Sequence, residues 1–365
     1  MTRYLIVSAN GVKDEGGVER MAGYWARLLS QKREVAILSL DEVPWLRHLT
    51  GTIRSLLYPI VFGLRIFSES VRGHRYDLWI VSNGGQAGFA RADLAISHGT
   101  VAGYIHAMKG VQTFRSYHII KLFEYVAFNR ARRVIAVSEN ARRELIQFYH
   151  VDPDKIHVIN NCVDCTNFTE RPRQPGPFVL LFVGRLEDGK GLAFLDRLAR
   201  VLEVRTWDDV HLTLVTPNVT NSLMFAGRRN VNLRVGVSFQ EMPRTYNDAS
   251  LLIIPSLYEG FEMVTLEALA CGCPVAGRAV GAIGELARRG FTGCRTFEFF
   301  GGAFVEEHLD VLLDFAQSCD RSAVAAATRS EFSIDGYIKK VCQALPELVP
   351  TRKAGPEPPG QEMAR

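Results

Sequence analysis

Pro255-Ser256-Leu257-Tyr258-Glu259-Gly260-Phe261-Glu262-Met263-Val264-Thr265-Leu266-Glu267-Ala268-Leu269-Ala270-Cys271-Gly272-Cys273-Pro274-Val275 reads as three pieces joined end to end. An apolar run over 251–254 stops at Pro255, and a helical pattern over 262–270 stops at Gly272-Cys273-Pro274. The order is strand, loop and helix N-terminus, with Glu259 in the loop and Glu267 about two turns into the helix. Free N–H groups of a first helical turn, helped by the positive end of the helix dipole, receive phosphate oxygens. The two carboxylates can accept hydrogen bonds from sugar hydroxyls. The stretch therefore predicts a site for a phosphorylated, hydroxyl-rich ligand.

The same alternation extends outward in both directions. In the first half, apolar runs over 4–8, 35–40, 78–82, 94–97, 134–138 and 156–160 predict strands. Helical periodicity over 17–30, 46–69, 114–129 and 140–149 predicts the crossovers between them. Arg171-Pro172-Arg173-Gln174-Pro175-Gly176-Pro177 breaks the pattern and suits a linker. Strands resume at 179–183, 212–215, 231–234, 251–254 and 274–276, with helices between. Tandem units of this kind predict an α/β protein of two Rossmann-like domains, 1–170 and 171–345. Their parallel sheets bind ligands at the carboxyl ends of the strands. The tail 351–365, rich in Pro, Gly and Glu, has the composition of a disordered segment.

Composition narrows the function. With 365 residues, 47% hydrophobic and 22% charged, the chain is long enough for two cores and ordinary for a soluble globular protein. A net charge of +4 is too mild to imply nucleic acid. No run approaches the twenty or so apolar residues of a membrane span. The start, Met1-Thr2-Arg3-Tyr4-Leu5-Ile6-Val7-Ser8, reads as a buried strand rather than a signal peptide. Seven cysteines, an odd number, favour reduced thiols and a cytoplasmic setting. Cys162 and Cys165 could join Cys271 and Cys273 around zinc, but the latter pair occupies small-residue slots at a helix end, so no metal is expected. Gly11, Gly16 and Gly17 have the wrong spacing for a dinucleotide fingerprint, which argues against a dehydrogenase. Asp152-Pro153-Asp154 reads as a turn.

Other loops carry candidate chemistry. Gly184-Arg185-Leu186-Glu187-Asp188-Gly189-Lys190-Gly191 follows a strand and precedes a helix. Its two cations can grip a diphosphate, Arg as a planar fork and Lys as a mobile point charge; a solvated loop is the plain alternative. Gly16-Gly17-Val18-Glu19-Arg20 opens a helix after the first strand, and His98 in Ser97-His98-Gly99-Thr100 follows another. Ser138 is placed to cap a helix. Arginines 47, 54, 65, 72 and 75 with Glu69 are interleaved with Leu49, Ile53, Leu56, Leu57, Phe62, Leu64 and Phe67. A second basic-aromatic stretch runs through Lys109, Phe114, Arg115, Tyr117, Lys121, Phe123, Arg130, Arg132 and Arg133. A face resting on anionic lipid headgroups and a pair of core helices with solvated arginines both fit these stretches.

The string 255–275, taken with the loop 184–191, resembles the donor-site signature of retaining glycosyltransferases of family 4, which have the GT-B fold of two Rossmann-like domains facing across a cleft. The resemblance covers most of 1–345 in order and is strongest over 179–192 and 237–276. It implies that Glu259 contacts the donor sugar and Glu267 the nucleotide ribose. It also implies that Arg185 and Lys190 neutralise the departing diphosphate with no metal or cofactor, and that His98 supports the reacting face. Gly16, Gly17, Gly184, Gly260, Phe261, Glu262, Met263 and Val264 would complete the donor site. Where the family often has a small residue after Glu-Gly-Phe, this chain has Glu262, which meets either a helix dipole or a sugar hydroxyl. In Asn160-Asn161-Cys162-Val163-Asp164, Cys162 stands where the family usually has Gly. Arg244 and Tyr246 fall in the family's base-binding region. The last helical pattern, 334–348, would cross back to the first domain.

The activity implied is transfer of a sugar, with retention, from a UDP- or GDP-sugar to a glycan or lipid-linked acceptor in bacterial cell-surface polysaccharide or lipopolysaccharide synthesis. Its setting would be cytoplasmic, with peripheral contact to an anionic membrane. A nucleotide-sugar epimerase or hydrolase of the same fold, and a non-catalytic sugar-nucleotide-binding subunit, are the rival readings.

Overall fold

The computed structural model describes residues 3–8, 11–12, 16–30, 34–39, 43–49, 51–71, 76–82, 92–109, 116–173, 175–204, 209–302 and 304–346. The tail 351–365 and residues 72, 75, 114 and 115 of the basic-aromatic stretches lie outside them, as do the side chains of residues 47, 54 and 69.

The first half is built from β1 (Arg3–Val7), α1 (Gly17–Ser30), β2 (Glu34–Leu38), α2 (Gly51–Val71), β3 (Leu78–Ser82), β4 (Leu94–Ser97), α3 (Val101–Ala107), α4 (Ser116–Arg130), β5 (Arg133–Ala136), α5 (Glu139–Tyr149) and β6 (Ile156–Val158). Its strands form one parallel sheet in the order β2-β1-β3-β4-β5-β6. Helices cover both faces of such a sheet, so the central strands are apolar throughout; Leu5, Ile6 and Val7 are all buried. The single helix expected over 46–69 is instead a 3-10 turn, Pro44–His48, followed by α2. Leu49 is extended between them, which ends the turn. Pro59 lies inside α2, where it removes one helical hydrogen bond without ending the helix.

The second half comprises β7 (Phe178–Val183), α6 (Leu192–Val204), β8 (Val210–Thr216), β9 (Val231–Val235), α7 (Met242–Asp248), β10 (Leu251–Ile254), α8 (Met263–Ala270), β11 (Val275–Gly277), α9 (Gly281–Arg288), β12 (Cys294–Thr296), α10 (Glu307–Gln317), α11 (Arg321–Phe332) and α12 (Ile334–Ala344). Its parallel sheet runs β12-β11-β10-β7-β8-β9. The chain winds outward from β7 to β9, then returns to β10 on the other side of β7. The order of winding therefore reverses between β7 and β10, and sheets of this kind bind ligands at the carboxyl ends of the strands where it does so. No periodicity signals β12, a three-residue strand that is only half buried.

One hydrophobic cluster joins the two halves, bringing Met21 and Trp25 of α1 together with Phe261, Met263, Phe332 and Tyr337. The Trp25 indole donates to the Tyr337 hydroxyl at 3.0 Å, so α12 packs against the first half. Val163 N donates to Phe332 O at 2.8 Å beside it. Among the described residues no helix is long and apolar enough to cross a membrane.

Candidate active site

The second half supplies two loops that meet because β7 and β10 are neighbours, with Leu181 opposite Leu252. Leu257 N donates to Gly189 O at 2.9 Å. Gly191 has φ +84°, and a Cβ there would lie 2.5 Å from the Pro255 carbonyl oxygen, so a side chain would wedge the loops apart. Their apposition puts Lys190 Nζ 2.5 Å from Glu259 Oε1, and Ser256 Oγ donates to the same oxygen at 2.7 Å. Arg185 pairs with Glu187 at 3.0 Å and remains largely exposed at the cleft wall. The cleft itself encloses about 680 Å³ between the two halves.

Helix α8 contributes its N-terminal turn and Glu267. The N-cap residue, Glu262, makes no side-chain hydrogen bond to that turn. The Glu267 carboxylate is buried: Tyr246 donates to Oε2 at 2.8 Å, and the Arg20 guanidinium of α1 ion-pairs with Oε1. Arg20 also lies over the Phe239 ring at 5.2 Å. Glu262 has turned toward a different helix: its carboxylate accepts from Ala282 N at 2.7 Å and Ile283 N at 2.9 Å, capping α9, and from Thr265 Oγ1 at 2.7 Å. Burial pushes the Glu262 carboxyl pKa upward, and neighbouring Glu259 adds to the rise.

The first half closes the cleft with two turns. Gly16 adopts φ +88° under the Glu19 carboxylate, and a Cβ on Gly17 would lie 2.9 Å from Met263 Cγ, so the glycine turn sits directly on the start of α8. A Cβ on Gly260 would lie 2.0 Å from the His98 carbonyl oxygen. Only glycine lets the loop after β10 approach the His98 turn this closely. The His98 imidazole lies 3.2 Å from Ser82 Oγ, and burial lowers its pKa to about 4. The ring is therefore neutral near pH 7 and offers a hydrogen bond rather than a charge.

Thirteen residues named from the sequence line this one cleft: Gly16, Gly17, His98, Gly184, Arg185, Lys190, Glu259, Gly260, Phe261, Glu262, Met263, Val264 and Glu267. Tyr246 joins them, whereas Arg244 is exposed and pairs with Asp248. Asp152 caps a one-turn 3-10 segment by accepting from Asp154 N, and Ser138 caps α5. Cys271 and Cys273 are buried at the end of α8, and Cys162 is buried elsewhere in the same large apolar cluster. Sequence reading gave no role to Arg20, Asn161 or Tyr258. Each makes its contacts across the two halves, and spacing along the chain carries no signal for such pairs. Asn161 Nδ2 donates to Phe261 O at 2.9 Å.

Known proteins match both halves. The model for Glycosyltransferase Family 4 matches residues 15–167, and that for Glycosyl transferases group 1 matches residues 177–314. The alpha-maltose-1-phosphate synthase of Mycolicibacterium smegmatis is 32% identical over 212 residues, covering 51% of this chain and 53% of that protein. The chain spans about half the length of the curated relatives it matches. Among solved structures, the sucrose-phosphate synthase of Thermosynechococcus elongatus superposes with a TM-score of 0.69 at 15% identity, covering 95% of this chain and 99% of that one. Anabaena HepE in complex with UDP-glucose gives 0.67 at 18% identity, covering 95% and 100%. Two parallel six-stranded sheets facing across a cleft, superposing on such structures over nearly their whole length, are the GT-B fold. With a family model matched in each half, the chain belongs to the family 4 glycosyltransferases, group 1.

Proposed function

We propose that the protein transfers a sugar, with retention, from a UDP- or GDP-sugar to a glycan or lipid-linked acceptor. The observation carrying this reading is the meeting of the Arg185–Lys190 loop with Glu259, Glu267 and the N-terminal turn of α8, which its N-cap side chain leaves open, at the point where the second sheet reverses. A diphosphate there faces two cations and a helix N-terminus. HepE, a structural neighbour, binds UDP-glucose.

In this reading Arg185 and Lys190 stabilise the diphosphate as the bond from the anomeric carbon to its oxygen breaks. Such preorganised charge is commonly the largest catalytic term. Lys190 is held beside the cleft by Glu259 and exchanges part of that pairing for the phosphate, leaving Glu259 to accept from sugar hydroxyls. The acceptor oxygen bonds to the anomeric carbon on the face the diphosphate leaves, and its proton passes to the departing phosphate oxygen. Neutral His98 donates or accepts one hydrogen bond at that face. Glu267, oriented by Tyr246 and Arg20, accepts from the ribose hydroxyls with its remaining lone pairs.

For the acceptor side we propose a lipid-linked substrate met at the cytoplasmic face of a membrane. Helices α2 and α4 pack together and leave Ile53, Leu56, Leu64, Phe67, Leu122 and Tyr125 exposed. Flotation with anionic and neutral vesicles tests this; equal partitioning to both, or to neither, rejects it.

A thermal-shift panel of nucleoside diphosphates and their sugars tests the donor assignment, because a ligand that binds only the folded chain raises its melting temperature. No shift with any of them rejects it. Release of free sugar or an epimer in stoichiometric amount, without acceptor, would favour hydrolysis or epimerisation instead.

A further inference from the structure

We infer that Tyr258 is a positioning residue: its hydroxyl latches the 259–261 loop of the second half onto the 98–101 turn of the first, and so fixes where Glu259 stands over the donor sugar. This rests on the proposed reading of Glu259.

The hydroxyl is seated between two partners across the cleft. It accepts from Thr100 N at 2.7 Å and donates to Glu144 Oε2 at 2.7 Å. Glu144 is itself fixed, taking the Thr100 hydroxyl at 2.7 Å on the same oxygen and Asn140 Nδ2 at 2.6 Å on the other. The space is cleared by glycine. A Cβ on Gly99 would lie 3.0 Å from the Tyr258 hydroxyl, and one on Gly103 would lie 2.3 Å from the Glu144 carboxyl carbon. The Tyr104 ring meets the Tyr258 ring edge-on at 5.9 Å. A ring that only filled space would need neither a buried carboxylate nor a backbone donor at its tip.

The latch matters because of what lies next to it. Gly260 rests on the His98 carbonyl, and Phe261 O accepts from Asn161. Residues 258, 260 and 261 thus each touch the first half, and Glu259 is carried between them toward Lys190. The nucleotide side is held separately by Tyr246, Arg20 and Glu267. Losing the Tyr258 hydroxyl should therefore disturb recognition of the sugar and spare recognition of the nucleotide.

Tyr258→Phe keeps the ring and removes the hydroxyl; Glu144→Gln keeps the shape and removes the charge. Two readouts apply to both. Hydrogen exchange of the Thr100 amide should quicken about tenfold or more once its acceptor is lost in Tyr258→Phe, with a smaller rise in Glu144→Gln. Calorimetric titration with UDP, GDP and their hexose conjugates should find bare-nucleotide affinity within about threefold of wild type and the extra affinity contributed by the sugar reduced about tenfold. Unchanged exchange in Tyr258→Phe overturns the latch. Faster exchange with the sugar increment intact, or equal losses for nucleotide and conjugate, overturns positioning. If wild type binds none of these nucleotides while exchange still quickens, the latch stands and its role in sugar recognition falls with the donor assignment.

Discussion

Lys190 and Glu259 hold opposite charges 2.5 Å apart, yet in a transferase they would serve different parts of one donor. Lys190→Ala and Arg185→Ala should each lower turnover about a hundredfold, the usual effect of removing one preorganised charge contact. Wild-type turnover by either folded variant, measured as sugar transfer, removes the diphosphate assignment. The two carboxylates separate differently. Glu259→Ala should leave affinity for the bare nucleoside diphosphate nearly unchanged and impair transfer. Glu267 calls for a gentler change, because Glu267→Ala would strand the buried Arg20 guanidinium. Glu267→Gln should weaken the diphosphate about tenfold, the cost of replacing a charged acceptor by a neutral one. If calorimetry finds that Glu259→Ala loses the diphosphate and Glu267→Gln keeps it, the roles are reversed.

At the scale of elements, loops after strands are held together by missing Cβ atoms and by carboxylates spent on helix ends. Gly260→Ala would place a methyl 2.0 Å from a backbone oxygen that cannot rotate away. It should destabilise by about 1–3 kcal/mol and abolish most transfer. Gly176→Ala, which meets nothing within 4 Å, is the control in the same melting and transfer assays. Parity between the two variants would mean that the loop does not seat on His98. Glu262→Ala should cost about 1 kcal/mol through the lost cap on α9 while changing nucleotide affinity less than about threefold. A larger loss of affinity with unchanged melting would put Glu262 on the donor instead. These elements also mark how far sequence carries. Apolar runs and glycine-bearing loops told of both sheets except β12, and of the place of Arg185, Lys190, Glu259 and Glu267 in the cleft, because each feature is local in the chain. The destination of the Glu262 carboxylate was not legible, since its acceptance from Ala282 and Ile283 depends on how α8 and α9 pack. The same holds for Tyr258, whose partners lie in the other half.

At the scale of the whole molecule, the two halves meet through a shared apolar cluster and a few buried polar contacts, and Arg20 with Glu267 is a charged one at the start of α1. Arg20 is 10% exposed and Glu267 3%, so water screens the pair poorly. Removing one member leaves the other charge buried without its counterpart, which commonly costs about 3–5 kcal/mol. Arg20→Ala should therefore be strongly destabilising, more so than loss of its packing over Phe239 would explain. Adding Glu267→Gln to Arg20→Ala should restore part of that loss, because the neutral amide no longer needs a cation and can still accept from Tyr246. The four proteins of this cycle, unfolded in denaturant, should give a coupling of about 1–3 kcal/mol. Additivity to within about 0.5 kcal/mol would mean that the pair contributes nothing of its own across the cleft. The apolar cluster and the neutral hydrogen bonds, such as Trp25 to Tyr337, would then hold the halves together here, and Glu267 would depend on Tyr246 alone for its orientation.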